Sequence, residues 1–515
     1  MKKIFTCMAL LALSAYGMAT EYKDRLTVSV NGNSSTQDAT ISVDKTGDKY
    51  TLSLKNFVLS SGGNQVGVGN IVLPDITGET VGDATLLETL QTVSITAGDD
   101  PSIPMWLGPT LPPIPIELKA KMQNNKLYAV INIDLKAALN QVIEVTFGSG
   151  YQLPNSGFEE YRKEGSVDEP IGWHSFASAT GTYASTAKGL GTYTLIADGT
   201  SRPGSSGTKS ILLQSASLSL FFSTIIANGT MTTGRMVAGA MSASDKKNHA
   251  ELNMASTDKD SNGDPFYAPM NGRPDSLAVW VKFTQGKAVA AHPYATVSAA
   301  ITDGTYYQEP EDKAYTNVLA RAQNNKIETK SGAWQRIVVP FNYVNNSVEG
   351  KAILVTLSTN ADPGQGSKGD KLYVDDIELI YNSQLRSLAI DGTAVAGFAP
   401  ATLSYQLKVN EAPVLDKITA ETAGALVKKA IAPTANGWDV TLTSMANDLK
   451  SQTVYTLHFT KDTSTGISTV DNSSANRIVA IYNLQGVKVD TMLKGNVYLV
   501  KMADGRTVKM AGNVR

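Results

Sequence analysis

An all-β, multidomain chain is predicted from three observations. Apolar and polar residues alternate with a period of two in run after run, the pattern of strands with one buried face. Turn residues punctuate the runs: Ser61-Gly62-Gly63-Asn64, Gln123-Asn124-Asn125-Lys126, Asp303-Gly304 and Asp504-Gly505. Amphipathic helices are almost absent, with Asp83–Val93 and Ala314–Ala322 the two weak candidates. A chain of 515 residues exceeds what one core supports, so about three or four domains are expected. Ordinary Gly and Pro usage excludes a collagen-like or wholly disordered chain. The net charge of −2 gives no bulk basic field for nucleic acid.

In chain order, residues 1–19 read as a secretory signal peptide. Lys2 and Lys3 form the positive end, Ile4–Met18 the apolar stretch, and Gly17-Met18-Ala19 the small-residue cleavage site. Cys7, the one cysteine, lies inside this leader. Cleavage would leave no thiol, which excludes disulfides, zinc thiolates and a cysteine nucleophile. Without Lys2 and Lys3, 43 basic residues face 47 acidic ones, a net charge of −4. No later stretch is long and apolar enough to suggest a transmembrane helix; the closest is Leu218–Ala227. Export to the periplasm, cell surface or medium is expected.

Residues 20–150 form the first strand-rich segment. Arg25–Val30 alternates strictly, as do Tyr50, Leu52 and Leu54 with their polar neighbours, and Leu127, Ala129, Ile131, Ile133 and Leu135 share one face. The prolines at 101, 104, 109, 112, 113 and 115 cannot occupy a central strand and predict a stiff surface loop or lid. Trp106 within it is read as a plug of the barrel end, the alternative being a lid residue. The stretches YTLSLKNFVL (50–59), VGVGNIVL (66–73), WLGPTLPPIPIELKAK (106–121) and LYAVINIDLKAALNQVIEVTFG (127–148) resemble the calycin-like β-barrel domain of secreted Bacteroides-type proteins. That resemblance implies a lipocalin-like barrel of about eight strands with room for an interior ligand.

Residues 151–382 follow. LPNSGFEEYRKEG (153–165), PIGWHS (170–175), PFYAPMNGRPDSLAVWVKF (265–283), GAWQRIVVPFNY (332–343) and KLYVDDIELIY (371–381) together resemble the PCMD carbohydrate-metabolism domain, a jelly roll similar to carbohydrate-binding modules. First and last strands lie side by side in such folds, which would gather Asn155, Glu159, Glu160, Asp375 and Asp376. The resemblance implies a structural Ca²⁺ there; the alternatives are ion pairing with Lys or Arg, or a catalytic carboxyl pair. The loop Asp258–Asp264 matches the first half of a calcium loop but has Pro269 at its twelfth position, so a polar turn is preferred. Sugar rings stack on aromatic faces. Trp173 and the pair Tyr306-Tyr307 are the candidate exposed platforms, against a structural role for each. Trp334 reads as core, and the face of Trp280 is undecided. The repeated Gln-Asn-Asn-Lys at 123–126 and 323–326 reads as two similar turns.

Residues 383–462 (LRSLAIDGTAVAGFAPATLSYQLKV to VYTLHFTK) look like a small immunoglobulin-like spacer, with Trp438 as its core tryptophan. Residues 463–475, rich in Ser, Thr and Asn, read as a linker. Residues 476–515, with YNLQG and GNVYLVKMADGRTVK, are similar to C-terminal sorting-type β domains, which implies secretion or surface-attachment machinery as a partner. His174, His249, His292 and His458 show no zinc spacing, and no nucleophile elbow or phosphate loop occurs. The expectation is therefore a secreted or cell-surface binding protein for glycan or another extracellular ligand, without an organic cofactor. The alternatives are a glycoside hydrolase or lyase using a Glu/Asp pair, and a structural or adhesin protein.

Overall fold

The computed structural model describes residues 19–31, 33–61, 64–136, 140–192, 195–220, 223–345, 348–461, 478–503 and 505–512. Residues 1–18 of the expected leader and the expected linker at 463–475 lie outside them.

The chain is nearly all β. Eight antiparallel strands close a barrel: β1 (Thr20–Val30), β2 (Asn33–Thr46), β3 (Lys49–Ser61), β4 (Asn64–Val81), β5 (Ala84–Val93), β6 (Ile114–Gln123), β7 (Lys126–Leu135) and β8 (Gln141–Phe147). Each pairs with its neighbour in sequence, and β8 returns to β1 through Val28↔Val145. The alternating apolar residues of these strands, among them Leu26, Ile41, Leu54, Ile116, Ile131 and Val145, meet in one buried core, so the barrel is filled by its own side chains. The candidate helix at 83–93 is instead β5. Leu87 turns into the barrel while Leu86 packs outward, and burial on both faces breaks the alternation that marks a one-faced strand. Trp106 is no plug. It lies half-buried outside the barrel core, in the loop that runs along β4, where its ring covers Gly67 and Gly98. Bare glycine backbone leaves the ring that seat.

The next unit is a sandwich. One sheet has the order Leu195–Ile196, Ile211–Gln214, Lys371–Ile380, Ser276–Thr284, Gln335–Pro340. The facing sheet has the order Thr230–Thr232, Ala352–Ser358, Ala295–Thr302, Val318–Ile327, Asn342–Tyr343. Their inner faces form the largest core, including Trp173, Val279, Phe283, Val297, Val355 and Ile377. A third layer, the sheet Arg235–Ala238, Asn248–Leu252, Tyr307–Glu309, lies on the outer face of the second sheet. Met236, Ala250, Leu252 and Tyr307 pack there against Ala300, Ala352 and Leu354. The second candidate helix, 314–322, is largely the strand Val318–Ile327, also buried on both faces. The second Gln-Asn-Asn-Lys lies inside that strand, whereas the first is the turn between β6 and β7.

A smaller two-sheet domain follows, with strands from Leu385 to Lys461 around Leu388, Val440, Leu442, Tyr455 and Leu457. Trp438 packs on its margin. The last unit is a four-stranded sheet, Ile478–Ala511, around Tyr498, Val500, Met502 and Met510.

The barrel wall meets both the sandwich and the smaller 385–461 domain. Val81, Leu86, Tyr128 and Val130 pack against Met445 and Leu449, with Tyr151 at the edge. Tyr128 and Tyr151 have ring centroids 4.0 Å apart. Lys121, buried here, donates to the Asn447 carbonyl at 3.3 Å and sits 4.7 Å from the Tyr151 ring centroid.

Candidate ligand-binding cleft

The opening segment of the sandwich does lie against its last strand: Ile377 N–H donates to the Ser156 carbonyl at 3.0 Å, and Leu379 N–H to Gln152 Oε1 at 2.8 Å. The five expected calcium ligands nonetheless serve separate partners. Asn155 Oδ1 accepts from the N–H groups of Glu159 and Glu160, at 3.0 and 3.1 Å, and its Nδ2 donates to the Glu160 carbonyl at 2.7 Å. Glu159 Oε1 accepts from the N–H groups of Thr208 and Lys209, both at 2.9 Å. Glu160 reaches the barrel, accepting from Thr36 N–H at 3.3 Å; burial raises its pKa, against that bond and the Arg25 charge. Asp375 Oδ2 accepts from Arg202 N–H at 2.7 Å, and Asp376 Oδ2 from Arg202 Nε at 2.6 Å. Burial, opposed by the Arg202 N–H and reinforced by the Asp376 charge, pushes the Asp375 carboxyl up to about 6. With the Arg202 N–H on Asp375, its guanidinium on Asp376 and the other side chains engaged elsewhere, this donor set does not fit a cation. Among the described residues no cluster of three or more His, Cys, Asp or Glu could hold a metal.

The aromatic platforms also stand elsewhere than expected. Trp173 is fully buried, its ring 5.4 Å from that of Phe158 and its Nε1 donating to the Pro154 carbonyl at 2.9 Å. Tyr307 is buried, accepting from Arg321 Nη1 at 2.9 Å. Tyr306 is exposed but donates to Gln308 Oε1, and it is not among the residues that line the cleft described below. On the outer face of the first sheet Trp280 is stacked by Arg202, and Trp334 and Tyr373 by Lys282. Trp334 is half-buried there rather than in the core.

The loop 258–264 is a turn built around an inward carboxylate. Asp260 Oδ1 accepts from the N–H groups of Asn262 and Asp264, both at 2.9 Å. Its Oδ2 lies 3.0 Å from Arg162 Nε, a charge contact whose angle falls short of a hydrogen bond, and 3.3 Å from His174 Nε2. Arg162 also donates to Glu169 at 2.8 Å and to the Pro170 carbonyl at 2.6 Å. Glu169 is fully buried and accepts from Ser175 N–H at 2.7 Å. Burial pushes the Asp260 pKa up, but the His174 hydrogen bond and the Arg162 charge outweigh it, and the net shift is downward.

The cleft forms where the third layer stops. On the outer face of the second sheet, Ala300, Ala352 and Leu354 lie beneath the third sheet. Farther along the same strands the face turns polar, with Thr296 and Ser298 on one strand, Thr356 and Ser358 on the next, and Gln323 and Asn325 on the third. These side chains floor a cleft of about 310 Å³. Its wall is largely apolar: Phe176, Tyr183, Leu190, Met236 and Met241, with Leu218 and Ile225 of the hairpin Ala216–Leu220/Ser223–Ala227. Thr296 Oγ1 donates to Asn325 Oδ1 at 2.6 Å, and Thr230 Oγ1 to Ser358 Oγ at 3.2 Å. At the edge Asn228 Nδ2 donates to the Asn360 carbonyl at 3.1 Å, while its buried Oδ1 has no partner among the described residues. Glu309 stands where third sheet and floor meet, paired in register with Ala250. Burial raises its pKa, against the Ser298 hydroxyl and the Arg321 charge. Among the described lining residues there is no Lys or Arg, and Glu309 is the one carboxyl. His249 lines the cleft with both ring nitrogens engaged, at 3.0 Å from the Lys246 carbonyl and 3.3 Å from Glu251 Oε2. The sequence signals for this site were Thr296 and Ser298 alternating with core Val297 and Ala299, and the amides at 323 and 325, which resembled a turn.

Residues 18–149 match the calycin-like beta-barrel domain family. No curated protein matches the chain. Among solved structures, the mosquito-larvicidal Cry4Aa toxin from Bacillus thuringiensis aligns at 9% identity and a TM-score of 0.17, over 72% of this chain and 53% of the toxin. The chain thus spans about half the length of that toxin, with 53% covered. The calycin-like domain has an open groove of about 1040 Å³ on the outside of β1–β3. Charges of both signs line it, and Arg25 pairs with Asp38 across it at 3.1 Å.

Proposed function

We propose that this is an exported, multidomain binding protein without chemistry of its own, and that the sandwich cleft takes a glycan. The observation that supports this is a polar floor, exposed at Gln323 and Asn325, beside a largely apolar wall. Sugars present hydroxyls on their edges and C–H groups on their faces, and Ser, Thr, Asn and Gln side chains beside alkyl surface suit both. A calycin-like domain at the amino end agrees with a binding role. On this reading the 385–461 domain is an immunoglobulin-like spacer, and the last sheet a sorting-type tail for export or attachment. A hydrolase would need two carboxyls flanking one bond, and Glu160 and Asp376 face different partners.

Affinity electrophoresis of the full chain through gels holding neutral polysaccharides tests the reading. Retardation by at least one, lost in a Gln323→Ala/Asn325→Ala variant, is expected. Free migration in every gel overturns the reading, as does retardation that the double variant leaves intact.

A further inference from the structure

Resting on that reading, we propose that the cleft selects uncharged N-acetylated sugars, with Glu309 and Asn228 receiving the ligand's N–H and O–H donors. Four features converge on this ligand. The first is the make-up of the wall. Beside the half-buried rings of Phe176 and Tyr183 stand alkyl side chains, Met236, Met241, Leu218 and Ile225 among them. Alkyl surface next to the polar floor gives a methyl group an apolar seat.

The second is the unmet acceptor. Asn228 Oδ1 is buried at the cleft edge without a partner among the described residues, while the amide's nitrogen is fixed by the Asn360 carbonyl. A buried acceptor left empty costs free energy, and a ligand donor would recover it. The third is Glu309, a half-buried lining residue held by the floor hydroxyl of Ser298. An acetamido group offers one N–H donor, one carbonyl acceptor and one methyl. Glu309 or Asn228 can take the N–H, the exposed Gln323 amide can answer the carbonyl, and the wall can take the methyl. The fourth is charge. With no Lys or Arg among the described lining residues and a carboxyl at the rear, a uronate, sulfate or phosphate meets no counter-charge.

Titration calorimetry on the full chain tests this with four probes: chitotriose, cellotriose, the glucosamine trimer and a hyaluronan tetrasaccharide. Chitotriose is expected to bind about a hundredfold more tightly than cellotriose, because losing the acetamido group leaves buried polar atoms unpaired. Glu309→Ala should weaken chitotriose about tenfold or more, and Glu309→Gln, which keeps a carbonyl acceptor, much less. Hyaluronan, acetylated but acidic, should not bind. Equal affinity for cellotriose or the glucosamine trimer overturns the acetamido assignment while leaving a glycan cleft. Hyaluronan binding as tightly as chitotriose overturns the exclusion of acids. Binding of none of the four overturns the acetamido assignment, and the polysaccharide gels then decide the broader reading separately. Should Glu309→Ala not fold, the wild-type comparison of chitotriose with cellotriose decides alone.

Discussion

The buried ion network around Arg162 should be the point where the sandwich's amino-terminal segment is most easily unseated. Replacing Glu169 with Ala removes a fully buried carboxylate that accepts from Arg162 Nη2 at 2.8 Å and from the Ser175 N–H and hydroxyl. The guanidinium, 3% exposed, stays buried and loses one of two anionic partners. Breaking a buried pair from one side costs about 3–5 kcal/mol, and the retained Asp260 contact argues for the lower end, about 3 kcal/mol. That is about a hundredfold in a local opening equilibrium. Hydrogen exchange read by mass spectrometry on peptides spanning 158–178 is the suitable assay, because a multidomain chain has no single unfolding transition. Arg162→Met should cost more than Glu169→Ala, since it strands both Glu169 and Asp260. Asp260 adds a pH signature. Its folded pKa lies below the unfolded one, so its contribution is present above the ordinary aspartate pKa of 3.8 and is lost as pH falls below it. Arg162→Met, by removing one stabilising charge, should move that acid loss to higher pH. A change in protection below about threefold for Glu169→Ala, or a smaller effect for Arg162→Met, would refute this reasoning.

Two further predictions concern the barrel. Lys121 is buried at the three-domain junction, and burial lowers its pKa to about 8, against the charges of Glu349, Asp448 and Asp83. The folded value lies below the unfolded 10.5, so the folded state gains stability as pH rises from about 8 toward 10.5. Lys121→Met should therefore raise the barrel's melting temperature at pH 7, by about 1–2 kcal/mol equivalent, and the gain should shrink across that window; a constant gain would count against the buried charge as its cause. Gly69 has φ +129°, and a Cβ there would stand 2.0 Å from the Thr96 carbonyl. Gly69→Ala should destabilise the barrel by roughly 2–4 kcal/mol in denaturant melts, against about 1 kcal/mol for Gly82→Ala at φ +62° in open space. Equal effects would show that the crossing loop is not tight.

What the sequence made legible follows from which forces are local. Strict alternation in Arg25–Val30 is a direct image of a strand with one wet face, and Leu127, Ala129, Ile131, Ile133 and Leu135 mark the inner face of β7 although Tyr128 and Val130 bury part of its outer face, so these barrel strands could be read from the sequence. Strands buried on both faces lose that image. Ala84–Val93 and the stretch around Val318 mimicked helical spacing because Leu86 and Val318 pack on the side opposite to Leu87 and Ala320. The site residues were harder still. The placement of 152–157 beside the strand Lys371–Ile380 was readable from fold topology. That Arg202, about 170 positions from Asp375 in sequence, would stand against that carboxylate and its neighbour was not, since no local pattern encodes it. Trp173 was a candidate exposed platform, but its side chain and that of the neighbouring His174 are both interior, one in the apolar core and one on Asp260.

The cleft itself shows how a layered fold makes a binding surface without any loop designed for it. A β-sheet face is continuous, so its composition must change wherever its cover ends. Along Ala295–Thr302 the outward positions run from Thr296 and Ser298 to Ala300, and along Ala352–Ser358 from Ala352 and Leu354 to Thr356 and Ser358. Both strands switch from apolar to polar at the same edge of the third sheet, and Glu309, its last strand residue, marks that edge. Extending the third layer would take the half-exposed Thr296 and Thr356 out of water, at about 1–3 kcal/mol for each polar group whose water contacts are not replaced. Shortening it would expose Ala300 and Leu354 to water. The composition of the floor therefore holds the cover at its present length and keeps the cleft open, a property of the fold whatever ligand enters.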